Sequence, residues 1–244
     1  VADDTGRAAF YAARPGGWRD WWTVLHPPYT AWHLSYVAIG AALAPHLDGV
    51  RLGATVLAFF AAMGIGAHAL DELHGHPLGT RIPDRVLIGA SVAGVVAAVA
   101  LGVAGLGRVG LILVPFIVVG PVLVVAYNLE LFGGRLHTDV GFALSWGAFP
   151  VLTAYVAQAA QIDAAALLGA AAAFALSYAQ RSLSTPARLL RRRVQHAEGL
   201  LTLDDGEVRP ITTETLLGPL ERTLRALAWT VVLLAAAMVS ARLW

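Results

Sequence analysis

The stretch Leu52-Gly-Ala-Thr-Val-Leu-Ala-Phe-Phe-Ala-Ala-Met-Gly-Ile-Gly-Ala-His68-Ala-Leu-Asp71-Glu72-Leu-His-Gly-His76 opens as an apolar run and closes on ionisable residues four positions apart. The run approaches the roughly 20 residues that carry a helix across a hydrocarbon core. At about 100° per residue, His68, Glu72 and His76 span an arc of roughly 80° and share one helical stripe. Burying two imidazoles and a carboxylate at membrane depth is costly unless they pair or hold a cation, so such residues mark function by default.

Working outward, six further segments read as spans, at 31–47, 86–105, 109–132, 140–160, 164–180 and 224–241. The chain of 244 residues is 57% hydrophobic and 14% charged, which is the balance of a polytopic membrane protein rather than a soluble domain. Runs of Ala, Gly, Val and Leu without strict alternation predict helices, not a barrel. The fold class expected is therefore all-α, a membrane bundle of about seven transmembrane helices. Four parts follow: an interfacial amphipathic segment at 1–30 (Phe10, Tyr11, Trp18, Trp21, Trp22), a six-helix core at 31–180, an Arg-rich connection at 181–223 and a seventh span at 224–244. Within the connection, Arg188 and Arg191 to Arg193 read as a lipid-headgroup contact and Asp204-Asp205-Gly206 as a turn.

The chain has no cysteine, which excludes disulfides, thiolate metal sites and a cysteine nucleophile. All 17 basic residues are arginine, so Schiff-base chemistry is excluded too. A net charge of +1 carries no nucleic-acid signal, and no protein partner is predicted. Arginines crowd alternate connections, and the opposite connections hold only Arg51 and Arg108. By the positive-inside rule the N-terminus and the ionisable cluster lie on the cytoplasmic side and the C-terminus outside.

Threading the spans alternately brings His33, His68, Glu72, His76, Glu130 and His137 to the same ends of the bundle. Mixed nitrogen and oxygen donors suit a transition metal, iron first, with zinc or manganese as alternatives. Asp71 and Asp139 are the candidate catalytic or orienting carboxylates. His26, His74 and His196 read as interfacial histidines.

Leu25-His-Pro-Pro-Tyr-Thr-Ala-Trp-His-Leu-Ser-Tyr, ending in Gly40-Ala-Ala-Leu-Ala, resembles the first helix of the UbiA superfamily of intramembrane prenyltransferases. The end of the second span stands where that family carries N-D-x-x-D-x-x-x-D, and Tyr127-Asn-Leu-Glu-Leu-Phe resembles its Y-x-x-x-K region. The resemblance covers residues 18–180 and implies a helical bundle with a central cavity open toward the cytoplasmic surface and the lipid. The departures bear on the chemistry. His68, Ala69, Glu72 and His76 replace the first motif's Asn and three Asp, Leu131 stands at the lysine position, and Ser177-Tyr-Ala-Gln-Arg-Ser-Leu-Ser-Thr lacks the second motif's carboxylates. The span count falls two short of the family's nine.

These observations predict a metal-dependent membrane enzyme acting on a lipid or isoprenoid substrate, a non-haem iron oxidoreductase on a UbiA-like scaffold, or by the same ligands a zinc hydrolase. The alternative is a divergent prenyltransferase, with Asp71, Glu72 and Asp84 holding magnesium and Arg81, Arg85 and Arg135 gripping diphosphate. A third reading is a non-enzymatic metal-binding or structural subunit.

Overall fold

Three side chains that accept free backbone N–H groups decide where long helices begin. In the computed structural model of the chain, which describes Ala13 and residues 15–243, Asp48 accepts from Val50 and Arg51 at 2.8 and 3.0 Å. Thr138 accepts from Gly141 at 3.0 Å, and Asp163 from Ala165 and Ala166 at 3.0 and 3.2 Å. Each is a short polar residue at the N-cap, satisfying donors that a helix start leaves open. The amphipathic character expected of Arg7, Phe10, Tyr11 and Arg14 lies outside the described residues.

The elements run α1 (Trp18–Val24), α2 (Pro27–Leu43), α3 (Gly49–Leu73), α4 (Asp84–Val109), α5 (Leu111–Asn128), α6 (Asp139–Ala159), α7 (Ala164–Arg193), a β1 (Glu198–Thr202) and β2 (Val208–Thr212) hairpin, and α8 (Thr213–Leu243). Five of the helices, α3, α4, α5, α6 and α8, are long and apolar enough to cross a membrane. The expected first and sixth spans are helices as well. α2 has 17 residues and starts on Pro27-Pro28, whose fixed φ suits a first turn. α7 does not stop near residue 180 but continues for 30 residues into Arg193, so the first part of the Arg-rich connection is the end of a core helix. Asp204-Asp205-Gly206 is a turn as expected, closing the antiparallel pair Glu198↔Thr212 to Thr202↔Val208.

α2 is the hub. It packs most extensively against α8 and α6, burying Trp32, Tyr36, Val151, Ala173 and Val231 in one cluster. Small residues bring backbones close: a Cβ on Gly40 would lie 2.3 Å from the Val151 carbonyl oxygen, and one on Gly94 2.3 Å from that of Ala61. Two helices widen to π geometry, α3 at Phe60–Ala67 and α6 at Ala143–Ala148. Each widened turn lies against a neighbour, α4 and α7 respectively. Outward, α1 leaves Trp18 and Trp22 exposed, as an interfacial helix would.

Candidate functional site

A π turn shifts main-chain carbonyls out of the ordinary i to i−4 ladder, and such turns recur at functional sites. Here two of those carbonyls hold histidines. His33 Nδ1–H donates to the Trp146 carbonyl at 2.9 Å, and His68 Nδ1–H to that of Gly64 at 3.2 Å. A carbonyl can only accept, so both rings carry a proton on Nδ1. The His33 ring makes this one backbone bond, whereas the His68 ring is also held by a backbone hydrogen bond to Leu25. His26, in the left-handed region at φ 45° just before α2, sets its ring 4.7 Å from that of His68. Burial first, then His68 and the nearby arginines, holds the His26 imidazole well below the ordinary histidine range.

α7 supplies the opposite charge. Arg188 and Arg192 lie within electrostatic reach of His26 and Tyr29, and Arg181 and Arg188 within reach of Asp71 and Tyr127. Arg181 is anchored by Asp139 at 3.1 Å and lies 5.3 Å over the Phe142 ring. Among the described residues no carboxylate comes within ion-pair distance of Arg188. The Tyr127 hydroxyl, on a side chain 5% exposed, has no hydrogen-bond partner there either. An orphaned buried donor beside an unneutralised guanidinium group is the signature of a place that takes an anion or water.

The six expected metal ligands are not brought together, and among the described residues no three His, Asp or Glu side chains are grouped to hold a metal ion. Glu72 is wholly buried, with its oxygens taken by Leu78 N, Thr80 N and Thr80 Oγ1 at 3.0, 3.1 and 2.7 Å. It fastens the loop between α3 and α4. His76 leaves the stripe because Gly75 (φ 79°) and His76 itself (φ 51°) break the helix, and its Nε2 meets Asp84 at 2.9 Å while Nδ1 sits 3.3 Å from Glu72. Asp84 is thereby engaged too, away from the magnesium role. Glu130 is 61% exposed, 3.9 Å from His137, whose ring stacks on Tyr127 at 4.6 Å. Of the set, His33 and His68 share the cluster and His137 stacks on its Tyr127, while Glu72 and His76 meet each other at the α3–α4 loop and Glu130 is exposed.

Asp71 stands in the cluster as expected, half-buried, whereas Asp139 acts through Arg181. Arg81, Arg85 and Arg135 are exposed, and the arginines near the cluster are Arg181, Arg188 and Arg192. His26, expected as interfacial, and Tyr29 also belong to the cluster. The signal that would have found the arginines is their spacing: residues 177, 180, 181, 184, 188 and 191 form one polar face that only an uninterrupted α7 can present.

Beneath the cluster, Met63, Val124, Tyr127 and Trp146 pack in one apolar layer. Beyond that layer lies a cavity of about 350 Å³ between α3, α4, α5 and α6, lined from Met63 and Trp146 at its inner end to Arg51 and Arg108 at the other. Comparison with family models, curated proteins and solved structures finds no match to this chain.

Proposed function

We propose that the chain is a membrane-embedded enzyme acting on a lipid or isoprenoid whose head is an anion of the phosphate class. The head sits among Arg188, Arg181, Tyr127 and the His26–His68 pair, and the hydrocarbon part extends into the surrounding bilayer. The observation that carries this reading is the buried, partnerless Tyr127 hydroxyl within reach of two arginines, one of them without a carboxylate. Guanidinium groups recognise phosphate oxygens through paired N–H donors, so direct binding needs no bridging cation. His68 and Asp71 stand beside the head as the groups able to move a proton. A transition-metal centre on the six expected ligands loses its support, since Glu72 is spent on backbone donors and Glu130 faces outward.

The test is binding of geranylgeranyl diphosphate to the purified chain in nanodiscs, with and without a chelator. Saturable binding should persist in the chelator and weaken about tenfold or more in Arg188→Gln and Tyr127→Phe. His68→Asn, which keeps a hydrogen-bonding side chain, and Asp71→Asn should retain most of the binding. Binding that vanishes with the chelator, or that both Arg188→Gln and Tyr127→Phe leave unchanged, overturns the proposal.

A further inference from the structure

The cavity between α3, α4, α5 and α6 is separate from the polar cluster. Its inner end is closed by buried Met63 and Trp146, whose far sides face Tyr127 and the layer under the histidines. At its other end Val50 and Arg108 are exposed, so the cavity reaches the surface there. From residue 50 to residue 63 of α3 a helix rises about 20 Å. Polar groups are few along that depth, with Thr55 and Thr153 the chief ones, and they give way inward to Phe149 and Trp146. The volume falls within the range of ligand pockets, roughly 300–1,000 Å³.

Charge is concentrated at the surface end. Arg51 donates through Nη1 to the Gln158 carbonyl at 2.9 Å and through Nη2 to the Arg108 carbonyl at 2.8 Å, which pins its guanidinium across the helix ends. Its Nε is buried with no hydrogen-bond partner, 3.7 Å from Asp48 Oδ2. The Arg108 side chain is exposed and, among the described residues, forms no ion pair. Asp48 is the carboxylate within reach of both arginines, so this end keeps a net positive charge.

From an apolar shaft with a fixed guanidinium and a spare one at its surface end, we infer a second lipid site, for a single-chain anionic amphiphile. Its hydrocarbon tail fills the shaft to Trp146 and its head meets the Arg108 side chain, beside the pinned guanidinium of Arg51. A neutral lipid of the same length gains nothing from the two arginines, and a two-chain lipid leaves its second tail outside the shaft. The inference does not rest on the reading of the polar cluster.

The experiment uses the full chain in phosphatidylcholine nanodiscs at pH 8, with palmitate brominated near its methyl end as a quencher of Trp146. Expected is a saturable quench near one equivalent, absent in Trp146→Phe and in the shaft-filling variant Ala58→Phe. Arg108→Gln should weaken it about tenfold, while the correspondingly brominated hexadecanol binds weakly to both proteins. Competition by hexadecyl phosphate against unlabelled palmitate tells whether the natural head is phosphate or carboxylate, and displacement by either supports the site. Thr55→Phe fills the shaft from a second position should Ala58→Phe fail to fold. A saturable quench retained in the folded filled variant, or equal binding of acid and alcohol, overturns the inference.

Discussion

Glu72 spends a buried carboxylate on holding a loop, and the cost of removing it can be stated. Glu72→Ala strands the buried Thr80 N and Thr80 hydroxyl and takes the acceptor from the half-buried Leu78 N. At about 1–3 kcal/mol for each unsatisfied buried group, the change should destabilise the protein by at least about 2 kcal/mol, visible as a lowered thermal midpoint. His76 next to it is a pH-dependent partner. Its hydrogen bond to Asp84, then the nearby Glu72, raises the imidazole above the ordinary value of 6.5. The protonated form is the one the fold favours, so this stabilisation is complete below about pH 6.5 and is lost as pH rises through the elevated folded value. The thermal midpoint should therefore fall with rising pH across that window, and the fall should shrink in His76→Gln. At this scale the sequence made the shared stripe of His68 and Glu72 legible. Gly75 and Pro77, both helix-ending residues, already pointed to His76 swinging off that stripe, but nothing showed that loop N–H groups would claim Glu72, because donors brought by a fold carry no mark in the side-chain pattern.

Most helices were readable from hydrophobic runs, with ends within about four residues, since caps such as Asp48, Thr138 and Asp163 stand in plain view, but α8 begins at Thr213 rather than near 224. α7 escaped because its outer half is polar. A run of Arg, Ser and Thr reads as a connection, yet the polar face of a helix looks the same when it lines a site. The π turns were invisible for a different reason: they arise where neighbouring helices press close. That contact yields a prediction. Gly40→Ala and Gly94→Ala each drive a methyl group against a backbone carbonyl at 2.3 Å and should lower the thermal midpoint clearly. Gly89→Ala on the open face of α4, with nothing within 4 Å, should leave it unchanged or slightly raised. Deleting Ile65 from the π turn would rotate His68 by about 100°. Such a variant should keep most of its geranylgeranyl diphosphate binding in the nanodisc assay, as His68→Asn does, because the arginines and Tyr127 stand on other helices.

At the scale of the molecule, the arginine distribution predicts which way the bundle faces, and the absence of cysteine makes that measurable. A single cysteine at Asp205, on the hairpin tip, should resist an impermeant maleimide in intact cells, while one at Gln161 should react. Reversed labelling would turn the topology over. α2 and α8 meet at the far end, where Arg242 donates through Nε to the Ala42 carbonyl at 2.9 Å and through Nη2 to that of Ala44 at 2.6 Å. Contacts 200 residues apart in the chain stitch the bundle's first long helix to its last. While the ribosome is still adding the helices between them, the flank of α2 that carries Trp32 and Tyr36 lacks its α8 neighbour Val231. The nascent protein thus waits with one seam unzipped until α8 arrives.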